Sequence, residues 1–115
     1  MTEPVLIVMC NFPDAATAER IAQRLVERRL AACVNILAPI RSIYRWQGAV
    51  EQAEEVPVLI KTAASRYAAL EATLLAEHPY EVPEILAVEA NRGAAAYLQW
   101  VVAMTEPDEQ LPDGL

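Results

Sequence analysis

The sequence predicts an α+β fold in which strands and helices follow the order βαββαβ, with an extra C-terminal helix. Three observations carry this prediction: an uninterrupted apolar run near the N-terminus, a long pair of strand-like segments that reverses at Gln47-Gly48, and helical stretches between the strands. This order is that of a ferredoxin-like sandwich, whose sheet has helices on one face. We expect residues 1–105 to form one such domain and the acidic tail, 106–115, to be disordered.

The first strand and the first helix have clear patterns. Val5–Cys10 is apolar throughout, which is typical of a central strand buried on both faces or between partners. Asp14 is a good helix N-cap, and Arg28 and Arg29 lie at the negative end of the helix dipole. The predicted buried stripe of this helix consists of Ala18, Ile21, Ala22, Leu25 and Val26.

Two segments of strand character, Ala32–Trp46 and Ala49–Thr62, form the predicted extended hairpin. Pro39 predicts a bulge or an unpaired edge position in the first arm, because proline cannot donate to a strand ladder. At about 3.3 Å per residue each arm extends roughly 45 Å, whereas a compact chain of this length is about 35 Å across. The arms must therefore overhang the domain.

An overhanging apolar ribbon predicts self-association, because natural proteins pair, cover or charge their exposed strand edges. The apolar side chains expected on this ribbon are Ile36, Ile40, Ile43, Tyr44, Trp46, Val56 and Val58.

The C-terminal half supplies two helices and one strand. Ser65 is the expected N-cap of the second helix, which Pro79 and Pro83 end. Ile85–Ala90 is the last strand, and Gly93 introduces the third helix. The expected buried face of the second helix consists of Tyr67, Leu70, Leu74 and Leu75.

Composition favours a self-associating protein with cationic partners. Apolar residues make up 55% of the chain, above the usual share of about 45–50%. A net charge of −7, with only 9 Lys and Arg, argues against nucleic acid, which requires a basic footprint. No membrane span or signal peptide is legible, so we expect a cytoplasmic protein with no membrane partner. Cys10 and Cys33 are then expected to be free thiols.

The predicted topology gathers candidate metal ligands. Because successive elements run in opposite directions, Cys10 at the end of the first strand and His78 at the end of the second helix lie at the same end of the molecule. Cys33 begins the second strand, at the other end, so the two thiols are expected to stay separate.

Five segments, in order along the chain, carry a resemblance to a known family: Leu30–Ile36, Ser42–Gly48, Ile60–Thr62, His78–Ile85 and Tyr97–Trp100. Together they resemble the CutA family of divalent-cation tolerance proteins, over about residues 4–104. The resemblance implies a cytoplasmic homotrimer of ferredoxin-like subunits, similar in architecture to PII signalling proteins. It also implies an association with copper and other divalent cations.

The metal-linked residues of the family fall on Cys10 and on the end of the second helix, where His78 is present. Some members have a further histidine at the preceding position, where this chain has Glu77. We therefore take Cys10, His78 and Glu77 as the candidate ligands of a divalent cation, copper or alternatively zinc. Thiolate and imidazole suit both metals, and a carboxylate can complete the shell. No organic cofactor is indicated.

Each candidate also has a structural interpretation. Cys10 can be core packing, and His78 can cap the end of the helix. Interface packing is the expected role of the aromatic residues Tyr44, Trp46, Tyr80 and Trp100. A solvated or rim face is expected for Glu51, Glu54 and Glu55. Salt bridges with those glutamates, or an anion-binding cleft, are the alternatives for Arg41, Arg45 and Lys61.

Three classes of function are compatible with these features. We prefer a trimeric protein of divalent-cation binding or tolerance. The alternative is a signalling or scaffold trimer similar to PII proteins, with a small ligand in the intersubunit cleft, although the 3 glycines form no phosphate loop. An enzyme is not predicted, because no catalytic arrangement of Ser, His, Asp or Cys is legible.

Overall fold

The computed structural model describes residues 3–108 and confirms the predicted order of elements. Most of the tail that was predicted to be disordered, residues 109–115, lies outside the described part of the chain. A single 3-10 turn at Ala64–Arg66 precedes the second α-helix. The elements are β1 (Val5–Phe12), α1 (Ala15–Glu27), β2 (Cys33–Ile36), β3 (Ile40–Trp46), β4 (Ala49–Ala63), α2 (Tyr67–Glu77), β5 (Ile85–Glu89) and α3 (Ala95–Met104).

All strand pairs in the sheet are antiparallel, and the strand order is β2-β4-β1-β5. β1 lies between β4 and β5, so the first and last strands are neighbours, as predicted. β3 pairs only with the outer part of β4, from Ile40 opposite Glu55 to Trp46 opposite Ala49. None of the helices in residues 3–108 is long and apolar enough to cross a membrane.

The core lies between one face of the sheet and the helices. Alternate residues of β1 and β4 are buried there, and α1 and α2 cover them with Ile21, Leu25, Leu70 and Leu74. The strand residues of this core include Val8, Cys10, Phe12, Val56, Val58 and Ile60. Strand alternation therefore separates two faces of very different character.

The second face of the sheet is apolar and lacks a helical cover. Met9 pairs with Leu59 on one side and with Leu86 on the other, which brings the three side chains to one face. Ile7 and Val88 continue it. We call this set, Ile7, Met9, Leu59, Leu86 and Val88, the open face; Leu86 is 57% exposed.

The predicted overhang is confirmed, although the first arm is not continuous. β2 ends at Ile36 opposite Val58, and β3 starts at Ile40 opposite Glu55, so the first arm contains one extra residue. Pro39 lies in this break, which confirms the predicted bulge. We call the exposed hairpin of residues 40–54 the ribbon. It contributes to a molecule 47 Å long and 23 Å thick.

Some predictions of burial and capping were wrong. Ser65 does not cap α2, which starts at Tyr67 without a side-chain cap; the Ser65 N–H donates instead to Glu3 (2.8 Å). Val26 and Leu75 lie outside the buried stripes of their helices, and Thr73 is buried in α2. Val56 and Val58 belong to the core, not to the exposed ribbon. The Asp14 cap is confirmed, since its carboxylate accepts the Thr17 N–H at 2.8 Å.

The two thiols are separate because β4 lies between them. Cys10 pairs with Val58, whereas Cys33 pairs with Lys61 from the opposite side of β4. Two strand spacings and three residues place their Cα atoms roughly 14 Å apart, about twice the limit for a disulfide. Both cysteines are free.

Candidate metal centre and the adjoining groove

The end of β1 and the end of α2 meet, as the strand polarity predicts. The His78 imidazole stacks on the Phe12 ring, with centroids 4.7 Å apart and planes 16° apart. Its Nε2 is 2.7 Å from the carbonyl oxygen of Asn11, the residue after Cys10. The sequence-predicted ligands Cys10, Glu77 and His78 are thus at one end of the molecule.

Cys10 is a core residue with no exposed surface. Its sulfur lies 3.9 Å from the Asn11 carbonyl oxygen, a long contact at most. Burial, followed by the charge of Glu84, raises the pKa of the Cys10 thiol from its ordinary 9.0 to about 12. The thiol therefore remains protonated at neutral pH, and this form is a poor metal ligand.

Both ring nitrogens of His78 have partners. A carbonyl oxygen can only accept, so Nε2 must carry the hydrogen that it donates to Asn11. Nδ1 then accepts the backbone N–H of Tyr80 at 3.0 Å. His78 thus does not cap α2 with its ring, as the structural interpretation had it; it joins the end of α2 to the end of β1 and holds the following segment. Burial lowers the pKa of the imidazole, which favours this neutral form.

Glu77 pairs with two arginines of α1. Its carboxylate oxygens lie 2.9 Å from Nε of Arg24 and 3.7 Å from Nη1 of Arg28. These ion pairs hold α1 against α2, and they occupy the carboxylate that was predicted to complete a metal shell.

A single subunit does not present the predicted ligands as a coordination set. Within residues 3–108, no group of three His, Cys, Asp or Glu side chains is close enough to hold a metal ion. A protonated thiol, an imidazole with both nitrogens engaged and an ion-paired carboxylate do not fit a divalent cation without rearrangement. The assignment of Cys10, His78 and Glu77 as metal ligands stays a prediction.

A groove of about 990 Å³ adjoins this end of the molecule. One wall is the ribbon, with Tyr44 and Trp46; the other is the segment 79–84, which follows His78. The floor includes Asn11 and Glu55. Pro79 and Pro83 restrict the backbone of the second wall, so that wall is stiff.

Glu55 is the residue of this region that sequence reasoning misplaced. It was predicted to lie on a solvated or rim face, yet it is only 9% exposed. Asn11 Nδ2 lies 3.5 Å from its Oε1, and the Tyr80 hydroxyl is hydrogen-bonded to its side chain. Burial and this carboxylate both raise the pKa of Tyr80, so the hydroxyl stays protonated and donates. The register opposite Ile40 could have indicated a half-buried position, but the covering segment has no local sequence signal.

Fold and site together define a class of protein: a small ferredoxin-like α+β subunit with one uncovered sheet face and an acidic groove beside a histidine-linked end. Comparison with known proteins gives the family. The CutA1 divalent ion tolerance protein family matches residues 6–104. The chain therefore belongs to the CutA1 family of divalent ion tolerance proteins.

Individual relatives agree with this assignment. The divalent-cation tolerance protein CutA of Pectobacterium atrosepticum is 44% identical over 98 residues, which cover 85% of this chain and 89% of the relative. The human protein CutA is 46% identical over 94 residues, which cover 82% of this chain but only 52% of the human protein. The crystal structure of CutA1 from Oryza sativa superimposes with a TM-score of 0.88 at 36% identity, covering 91% of this chain and 96% of that one.

Proposed function

We propose that this protein acts in divalent-cation tolerance as a cytoplasmic homotrimer, and that the ion it binds is copper or, alternatively, zinc. The family gives the general role. The observation that carries the assembly is the open face: a whole sheet face of apolar side chains, continued by an overhanging ribbon, has no cover within the subunit. Contiguous apolar surface of this kind marks an interaction site.

The proposed ligands are Cys10, His78 and Glu77, supported by their position at one end of the molecule. Binding there has a calculable cost. At pH 7 a cation that must displace a thiol proton of pKa about 12 loses roughly 10⁵-fold in apparent affinity. It must also take Nδ1 of His78 from the Tyr80 N–H. We therefore expect weak binding at neutral pH, strengthening about tenfold per pH unit as the solution becomes more alkaline.

Calorimetric titration with Zn²⁺ tests the ligands without redox side reactions, and Cu²⁺ follows under the same conditions. Cys10→Ser should weaken binding and remove most of its pH dependence, and His78→Ala should weaken binding as well. Cys33→Ser is the matched control, because its thiol lies on the far side of β4. Unchanged affinity in both Cys10→Ser and His78→Ala would refute this ligand set.

The cytoplasmic location is supported by the two free thiols, which are typical of a reducing compartment. Fractionation of the source cells tests it, with recovery in the periplasmic or extracellular fraction as the contrary result.

A second candidate function is a scaffold or signalling role similar to that of PII proteins, with a small ligand as the signal. The groove supports it, because about 990 Å³ falls at the upper end of the usual range of small-molecule sites, about 300–1,000 Å³.

A further inference from the structure

We propose that the groove binds a small organic cation that carries a primary ammonium group, with the Glu55 carboxylate as its anchor. This inference deepens the second candidate function and names the class of its ligand. It is independent of the metal ligands proposed above.

The charge of the groove selects a cation. Three carboxylates, those of Glu55, Glu81 and Glu84, line it. Among the described residues that form the lining there is no Lys, Arg or His. A nucleotide or another phosphate ligand would meet only like charge here, whereas an ammonium group has a complementary partner.

Glu55 has the properties of an anchor. It is more than nine-tenths buried, and its hydrogen-bonding neighbours, Asn11 and Tyr80, are both neutral donors. Within residues 3–108 it forms no ion pair. A buried carboxylate without a counter-charge is costly, so a cation that reached it would recover free energy that the subunit alone does not.

The aromatic lining favours an organic cation over a metal ion. Tyr44, Trp46 and Tyr80 line the same groove, and aromatic faces attract ammonium groups at separations of up to about 6 Å. Ile40, Pro57 and Val82 add apolar surface for an alkyl chain. A bare divalent ion instead needs several donors at bonding distance, and the described side chains provide no such group.

The test is calorimetric titration of the full-length protein in its native assembly, at pH 7, with butylammonium chloride. Uncharged 1-butanol and tetramethylammonium, which has no N–H donor, are the comparison probes. We expect butylammonium to bind best, and Glu55→Gln, which keeps the size of the side chain, to weaken it at least tenfold. Glu54→Gln is the matched control, since Glu54 is exposed and pairs with Arg41 on the other face of the ribbon.

Three results would overturn the proposal: equal binding of butylammonium and 1-butanol, equal affinity of the wild type and Glu55→Gln, or no binding of any amine. The third result, combined with altered light scattering of Glu55→Gln, would assign the groove to a side chain of a second subunit. Thermal unfolding of each variant shows whether it is folded.

The two proposals fail separately. Cys10→Ser should keep amine binding, and Glu55→Gln should keep whatever Zn²⁺ binding the wild type has. Loss of both activities in Glu55→Gln, in a folded variant, would place the metal in the groove and overturn the amine proposal.

Discussion

His78 links three parts of the chain through one side chain. Its ring stacks on Phe12 of β1, its Nε2–H donates to the carbonyl of Asn11, and its Nδ1 holds the N–H of Tyr80 in the groove wall. Only the neutral imidazole with the hydrogen on Nε2 makes both hydrogen bonds. Protonation of Nδ1 would break the bond to Tyr80.

This geometry predicts a pH-dependent stability. Burial lowers the pKa of His78 below its ordinary value of 6.5, so the unfolded chain takes up the proton at a higher pH than the folded chain. The free energy of unfolding should therefore be highest above pH 6.5 and fall as the pH drops through the folded-state pKa, by at most about 1.4 kcal/mol per pH unit. Denaturant unfolding between pH 7.5 and 5 measures it.

His78→Gln is the control for this prediction, because its amide can still donate to Asn11 but does not titrate in this range. The chain has 1 histidine, so the variant should show a flatter profile between pH 6.5 and 5. A slope equal to that of the wild type would assign the effect to other groups.

The sequence predicted which residues lie at this end but not how they are used. The meeting of Cys10 and His78 follows from strand polarity, which a regular order of elements determines. The engagement of both His78 nitrogens and the burial of Glu55 depend on the path of residues 79–84 across the base of the ribbon. That path is a tertiary arrangement with no periodic signal, so it could not be predicted locally.

The ribbon is the element whose geometry is set most locally. Gln47 and Gly48 both have positive φ, 49° and 82°, as a two-residue type I′ turn requires. The turn matches the twist of the two strands and keeps Trp46 opposite Ala49. Here the sequence prediction was accurate, because a turn between two strand patterns depends on few residues.

Gly48→Ala should destabilise the protein through its backbone alone. A Cβ at this position would meet no atom within 4 Å, so the cost is that of a left-handed conformation for alanine, about 1 kcal/mol. Gln47→Ala is a useful comparison, since Gln already has that cost. Thermal unfolding should rank Gly48→Ala below the wild type, with Gln47→Ala close to the wild type; equal stability of all three would contradict the argument.

Trp46→Asp should break the proposed assembly. An unpaired charge in an interface core costs several kcal/mol, and Trp46 stands at the outer end of the apolar side of the ribbon. Gln47→Asp adds the same charge one residue further on, at the turn, and should leave the assembly intact. Light scattering at micromolar concentration measures both, and a Trp46→Asp variant with the wild-type mass would exclude Trp46 from the interface.

At the scale of the whole molecule, the helices cover one face of the sheet and leave the other bare. The predicted sandwich and its strand neighbours were correct because alternation in β1 and β4 is strict. The identity of the cover over the open face is not encoded by a pattern within the chain, since its apolar residues look the same whether a helix or another subunit buries them.

A matched pair of lysine substitutions separates these cases. Leu86 on the open face and Leu75 on α2 are both 57% exposed in the single subunit. If the open face is the contact between subunits, Leu86→Lys should dissociate the assembly, whereas Leu75→Lys should not. Sedimentation velocity of both variants measures this, and identical behaviour would place the interface elsewhere.

The bare sheet face makes the protein's thermodynamics depend on how much of it is present. If its cover is another copy of the chain, part of the free energy of folding comes from association and is subject to mass action. The midpoint of thermal unfolding then rises on concentration and falls on dilution, and a stability measured at one concentration does not describe the protein at another. Expression level itself would set the fraction of chains that are folded.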